Sequence, residues 1–140
     1  MEKAYSSEYV VTIGDINYGG HLGNERSLLI FHDARYRFLQ SLGFSEADIG
    51  NGKGLIIVEA TVHFLKEVLV HDVLETRVWL SECSERRLPM QYEVKRKADG
   101  KVVLSGSTLL LAFDYQTRKV TRVPAVFLQA YRQVYGEPEI

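Results

Sequence analysis

The sequence predicts an α+β domain in which a long, curved antiparallel sheet wraps one helix. Three observations carry this. A helical stretch over residues 24–42 holds Leu28, Leu29, Ile30, Phe31, Ala34, Tyr36, Phe38, Leu39 and Leu42, more than one stripe, so it needs cover on most sides. Four later segments, 54–66, 73–83, 89–97 and 101–115, read as extended, and several are long enough to require a long curved sheet. The 140 residues, 46% of them hydrophobic, suit one domain (residues 1–140) with its own core.

Each element follows from local chemistry. Residues 5–13 are rich in β-branched and aromatic side chains, as a strand should be. Residues 14–23, Gly-Asp-Ile-Asn-Tyr-Gly-Gly-His-Leu-Gly, pack four glycines into ten positions and make a structured loop. Asn24 reads as the helix N-cap with Glu25 in the first turn, and Gly43 supplies the stop. Ser45-Glu-Ala-Asp48 has the spacing of a capping box that opens a short helical turn, and residues 50–54 form a flexible connection. Asp99-Gly100 joins the third and fourth strands in a tight hairpin. After a turn at 116–119 comes a short strand at 120–123. Pro124 then fits the first turn of a C-terminal helix with Phe127, Leu128, Tyr131 and Tyr135 on one side and Gly136 at its end.

The 17 basic and 18 acidic side chains leave a charge of −1, so no global field recruits nucleic acid or an anionic membrane. The longest uncharged run, 102–113, falls short of the roughly 18 to 20 residues of a membrane helix. Acid near the N-terminus, with no apolar stretch, is unlike a signal peptide. Cys83 is the one cysteine and lacks the spacing of a zinc site. A cytoplasmic protein without metal or cofactor is expected. No Walker, Rossmann, HExxH or GxSxG pattern occurs.

The loop running into the helix is where chemistry concentrates. Glycines let a ligand approach the backbone, and the first helix amides are unpaired donors at the positive end of the dipole. Such a place suits an oxyanion or a polarised carbonyl; the plain alternative is a tight strand-to-helix turn. The pattern Asp15-x-Asn17-x-x-Gly20-His21-x-x-Asn24 resembles the hotdog-fold acyl-CoA thioesterases, particularly the 4-hydroxybenzoyl-CoA thioesterase-like group. The similarity extends to Asp33-Ala-Arg35 in the helix, to Val62-His-Phe-Leu-Lys66 followed by Asp72, and to the 102–114 strand with Thr117, Lys119 and Pro124. This resemblance implies a hotdog fold and hydrolysis of an acyl-CoA thioester, with a backbone N–H at Asn24 polarising the carbonyl while a carboxylate activates water or attacks. It also implies a homodimer or dimer of dimers with sites at the subunit interface.

The sequence departs from the group at the carboxylate, where many relatives carry a second Asp and this chain has Asn17. An amide holds a carbonyl or a water but takes no proton near neutrality. Three residues are candidates for the base. His21 is nearest, and an imidazole is the side chain whose ordinary titration lies close to neutrality. His63 lies with Glu59 and Thr61 on one strand face, opposite Val58, Ala60, Val62 and Phe64. Asp33 falls nine residues after Asn24, about half a circle round the helix from it. Trp79 shares a strand face with Glu75, Arg77 and Ser81, which suggests an interface. Arg86-Arg87 and Lys95-Arg96-Lys97 are interleaved with Glu82, Glu85 and Glu93 and read as a solvated surface rather than a coenzyme A phosphate site. Two other functions fit the same residues: a hotdog hydratase or dehydratase of acyl thioesters, and a non-catalytic acyl-CoA or acyl-carrier binding module.

Overall fold

The computed structural model describes residues 3–138; Met1, Glu2, Glu139 and Ile140, at the ends of the predicted domain, lie outside the described residues. The chain runs β1 (Tyr5–Val10), a 3-10 turn (Ile13–Asp15), α1 (Arg26–Ser41), β2 (Gly54–Phe64), β3 (Val73–Leu80), β4 (Arg87–Arg96), β5 (Val102–Asp114), β6 (Lys119–Val120) and α2 (Ala125–Tyr135). The main strands form one antiparallel sheet in the order β1-β3-β4-β5-β2, with β6 against the end of β5.

Strict alternation of burial along β3 and β4 shows that one face of the sheet holds the core. That face packs on α1 through Ile30, Phe31, Ala34, Phe38 and Leu39, all essentially inaccessible. Phe31 stacks on Tyr92 of β4, ring centroids 4.4 Å apart. The sheet approaches the helix tightly at Gly106 of β5, where a methyl group would lie 2.8 Å from Phe31 and 2.1 Å from the Thr61 carbonyl oxygen. Helix α2 closes the far end of α1, with Phe38 edge-on to Tyr131 at 6.0 Å.

The structure corrects five expectations. α1 begins at Arg26 and not at an Asn24 N-cap: Glu25 occupies the cap position with no side-chain capping bond, because residues 23–25 form a turn of their own. The first strand stops at Val10, where the chain turns into the 3-10 segment. Ser45 to Asp48 is not a helical turn but a closed turn in which the two residues exchange backbone hydrogen bonds of 3.0 and 3.1 Å. Pro124 caps α2 from outside it. Finally, α1 is covered on one side only: Leu28, Leu29 and Tyr36 stay exposed.

Strand β2 carries a bulge between Ile57 and Glu59, so Val58 has no partner in the β2–β5 register. Beyond it the predicted alternation holds. Ala60 and Val62 pair with Thr108 and Gly106 on the helix side, while Glu59, Thr61 and His63 pair with Leu109, Ser107 and Ser105 on the outer face.

Candidate active site at the start of the long helix

The loop between β1 and α1 is built around Asp15, which is 5% exposed. Its Oδ2 accepts from Tyr9 Oη at 2.9 Å, Thr12 N at 2.9 Å and Thr12 Oγ1 at 3.1 Å, and its carbonyl accepts from Gly23 N at 2.9 Å. Burial, then the bond to Asp15 and its charge, push the Tyr9 phenol up to about 12. The Asp15-x-Asn17 pattern does not by itself reveal this role; the signal that could is Thr12-Ile-Gly-Asp15, which has the spacing of a capping box.

Asn17 closes the glycine turn. Its N–H donates to His21 O at 3.0 Å, its Oδ1 accepts from Gly19 N at 2.9 Å, and its carbonyl accepts from Gly20 N at 3.0 Å. Gly20 adopts φ +86°, which a side chain would strain. A methyl group on Gly19 would lie 3.1 Å from Asn17 Oδ1 and 3.4 Å from His21 Nε2, so the two side chains converge on that glycine. His21 Nδ1 makes a long 3.4 Å contact with Leu22 O.

The segment then docks on the loop after β2 through Leu22 N to Val68 O at 2.8 Å. The first helical turn bonds Arg26 N to Gly23 O at 3.0 Å and Ser27 N to Asn24 O at 3.3 Å. Between these bonds, the Asn24 and Glu25 N–H groups meet no acceptor among the described residues. Asn24 borders a cavity of about 360 Å³ with His21 and Leu22 on its loop side and Phe64, Leu65, Lys66, Glu67, Val68 and Leu104 around the rest.

Two of the predicted site residues lie elsewhere. Asp33 pairs with Arg37 at 3.0 Å on the open side of α1, beside Tyr9, His32 and Tyr36. His63 lines a shallow groove on the outer sheet face with Trp79, Gln91, Glu93, Ser105 and Ser107. Thus His21, Asn24 and, across Gly19, Asn17 come together, and Asp33 and His63 do not join them within one chain. Arg35 of the quoted Asp33-Ala-Arg35 motif is a structural tie, buried with Nε on Glu46 Oε1 at 2.8 Å and Nη1 on Tyr92 Oη at 3.1 Å. Trp79 is half-buried beneath Arg77, 5.5 Å from its ring centroid.

The remaining reactive groups are held back. Burial pushes the Cys83 thiol up to about 11, against the pull of Arg132, so little thiolate forms near neutrality. Lys95 and Lys97 face Glu93 and Glu8, and Arg96 faces Asp72 and Asp99, which leaves the basic run paired. Among the described residues no cluster of His, Cys, Asp and Glu could hold a metal ion, and no helix is long and apolar enough to cross a membrane.

The family model of the thioesterase-like superfamily matches residues 11–131, from just after β1 into α2. The chain belongs to the thioesterase-like superfamily. Among curated members of related sequence, it is 26% identical over 110 residues to the L-carnitine dehydrogenase/betainyl-CoA thioesterase of Rhizobium meliloti (strain 1021), covering 79% of this chain and 22% of that protein. The Agrobacterium fabrum protein of the same description is 24% identical over 126 residues, 90% of this chain and 26% of its own length. The chain spans about a quarter of the length of these relatives. Solved structures of the same fold include a 1,4-dihydroxy-2-naphthoyl-CoA thioesterase from Synechocystis, with TM-score 0.83, 21% identity and coverage of 91% and 95% of the two chains. A Staphylococcus aureus protein in complex with CoA superposes with TM-score 0.86 at 22% identity, covering 100% of this chain and 90% of that one. A mutant 4-hydroxybenzoyl CoA thioesterase complexed with 4-hydroxybenzoyl CoA gives TM-score 0.82 at 17% identity over 92% and 99% of the chains. This superfamily member has the hotdog fold, a long sheet around one helix.

Proposed function

We propose that this chain hydrolyses an acyl-CoA thioester to a carboxylic acid and coenzyme A. The observation that carries the reading is the Asn24 N–H, unpaired just before α1 in a residue that borders the cavity between the glycine loop and the end of β2. A donor held there by the fold stabilises the charge that develops on a thioester oxygen without reorganising, an effect of about 3 kcal/mol for a single oxyanion donor. The CoA and acyl-CoA ligands of the related proteins described above support the substrate class. Asn17 acts as a positioning residue: with Oδ1 bonded to Gly19 N it sets the loop, and its amide cannot serve as base. Of the candidates read from the sequence, only His21 borders the same cavity as Asn24.

The active unit in this reading is a cytoplasmic homodimer, or a dimer of dimers, joined along β2. Supporting it, β2 is an edge strand on which Ile57 and Val58 remain exposed, with Phe64 and Leu65 at its end beside the cavity.

The test is thiol release from a panel of aryl, straight-chain and trimethylammonium-bearing acyl-CoAs, followed for the wild type and Asn24→Pro. At least one member should turn over far above buffer, with kcat about 100-fold lower in the proline variant, which lacks the N–H. No cleavage of any member removes the thioesterase reading. Hydration of an enoyl-CoA without thiol release replaces it with a hydratase, and saturable binding without turnover replaces it with a binding module.

A further inference from the structure

Hydrolysis requires a group to take a proton from water, and the residues that sequence motifs nominate do not present one to the cavity. Asn17 is an amide. His21 lines the cavity, but its Nε2 and the Asn17 Oδ1 both lie against Gly19, 3.4 and 3.1 Å from where a methyl group would stand there, while Nδ1 lies 3.4 Å from Leu22 O. Asp15 is buried and its Oδ2 is occupied by three donors. Asp33 is paired with Arg37 on the open side of α1. The Glu25 carboxylate lies over Gly23, 2.7 Å from where a methyl group would stand there, and does not line the cavity.

One carboxylate remains. Resting on the thioesterase reading, we infer that Glu67 is the general base. It lies on the loop after β2, opposite the glycine loop, and is the only carboxylate among the residues lining the cavity that Asn24 borders. Its side chain is solvent-exposed and makes no hydrogen bond or ion pair with the described residues, so its proton-accepting oxygens are unspent. Its backbone is fixed on every side. Lys66 N bonds to Val103 O at 3.2 Å, Val68 O receives Leu22 N at 2.8 Å, and the Glu67 carbonyl itself accepts from Arg96 Nη2. Arg96 is in turn held by Asp99 at 2.9 Å and Asp72 at 3.4 Å. A loop pinned in this way holds the Glu67 backbone beside the cavity, and Glu67 carries the one unpaired carboxylate of that loop. The Leu22 to Val68 bond ties that loop directly to the segment that ends in Asn24, so donor and base are built on adjoining backbone.

In the step this assigns, Glu67 takes a proton from water as the water oxygen bonds to the thioester carbon, whose carbonyl oxygen gains charge beside the Asn24 N–H. The C–S bond then breaks, the electron pair leaves with sulfur, and the proton passes from Glu67 to the CoA thiolate. Water and thioester give acid and thiol, with Glu67 regenerated as carboxylate. The charged groups around it are Lys66 next in the chain and Arg96 at its carbonyl, with the His21 imidazole also lining the cavity.

The experiment uses the acyl-CoA that the wild type cleaves fastest. Glu67→Gln should lower kcat about 100-fold or more with KM within about threefold, the range of a lost general base. Glu67→Ala should fall equally far and regain at least tenfold in kcat on addition of formate, a small carboxylate that fits the vacated volume. His21→Ala should lose less than either. Circular dichroism melts matching the wild type establish that the variants fold. Wild-type kcat in Glu67→Gln overturns the inference while leaving the thioesterase reading intact. So does a loss confined to KM, which would make Glu67 a contact for the substrate, or a Glu67→Ala variant that formate does not restore. A wild type that cleaves no acyl-CoA overturns both.

Discussion

Gly106 shows how a single absent side chain sets the distance between layers. It sits mid-way along β5 under Phe31, and any Cβ there would stand inside contact distance of both that ring and the Thr61 carbonyl. Gly106→Ala should therefore destabilise the fold by about 3 kcal/mol, the upper range for overpacking a rigid core, read as a lowered urea midpoint with an unchanged slope. Tyr9 makes a second residue-scale prediction. Its phenol titrates at about 12 when folded against an ordinary 10. Between those values the folded state holds the proton more tightly than the unfolded chain. The stability it contributes is thus complete below pH 10 and is lost as pH rises toward 12. The group is only partly buried, and solvent screening of its exposed part leaves about 1 kcal/mol. Urea unfolding at pH 9, 10 and 11 should show the wild type losing more stability than Tyr9→Phe over that interval.

At the scale of elements, what the sequence made legible was whatever depends on local pattern. The alternation in β2 correctly put Glu59, Thr61 and His63 on one face, because side-chain direction in a strand is fixed by parity. Which face meets the helix depends on pairing with β5, and that pairing placed His63 on the outer side, away from Asn24. The bulge at Val58 was equally invisible, since it exists only as a mismatch between two strands. The apolar surround of α1 was read as a helix covered on most sides, yet Leu28, Leu29 and Tyr36 face outward; composition reports that an apolar surface needs cover but not whether the same chain provides it. Asn24 was found through the glycine loop and the helix that follows, both local signals. Glu67 carries no motif, and its place opposite the glycine loop comes from the Leu22 to Val68 bond between segments more than forty residues apart.

For the whole molecule, the two edges of the sheet differ. β1 is six residues long, bears Ser6 and Glu8 with Val10 at its end on its exposed face, and is tied to β4's exit by the Lys97–Glu8 pair at 2.6 Å. β2 is eleven residues long and presents Ile57 and Val58, with Phe64 at its end. Self-association along β2 should appear in sedimentation as a species of at least twice the 16.0 kDa chain mass. Ile57→Lys together with Val58→Lys should shift the distribution to the monomer, since charge on an edge strand opposes pairing. A distribution unchanged by these substitutions would assign association to another face.

If copies pair along β2, the unequal edges also determine how that assembly ends. A sheet with two open edges can add copies at either side without limit and grow into a fibre. A sheet whose short polar edge resists addition has one surface left, and a twofold pairing there uses it up in both partners at once. The bulge and length of β2 would then define a closed object with no growing end, so the same apolar strand that looks like an aggregation hazard in the isolated chain becomes the reason that growth terminates.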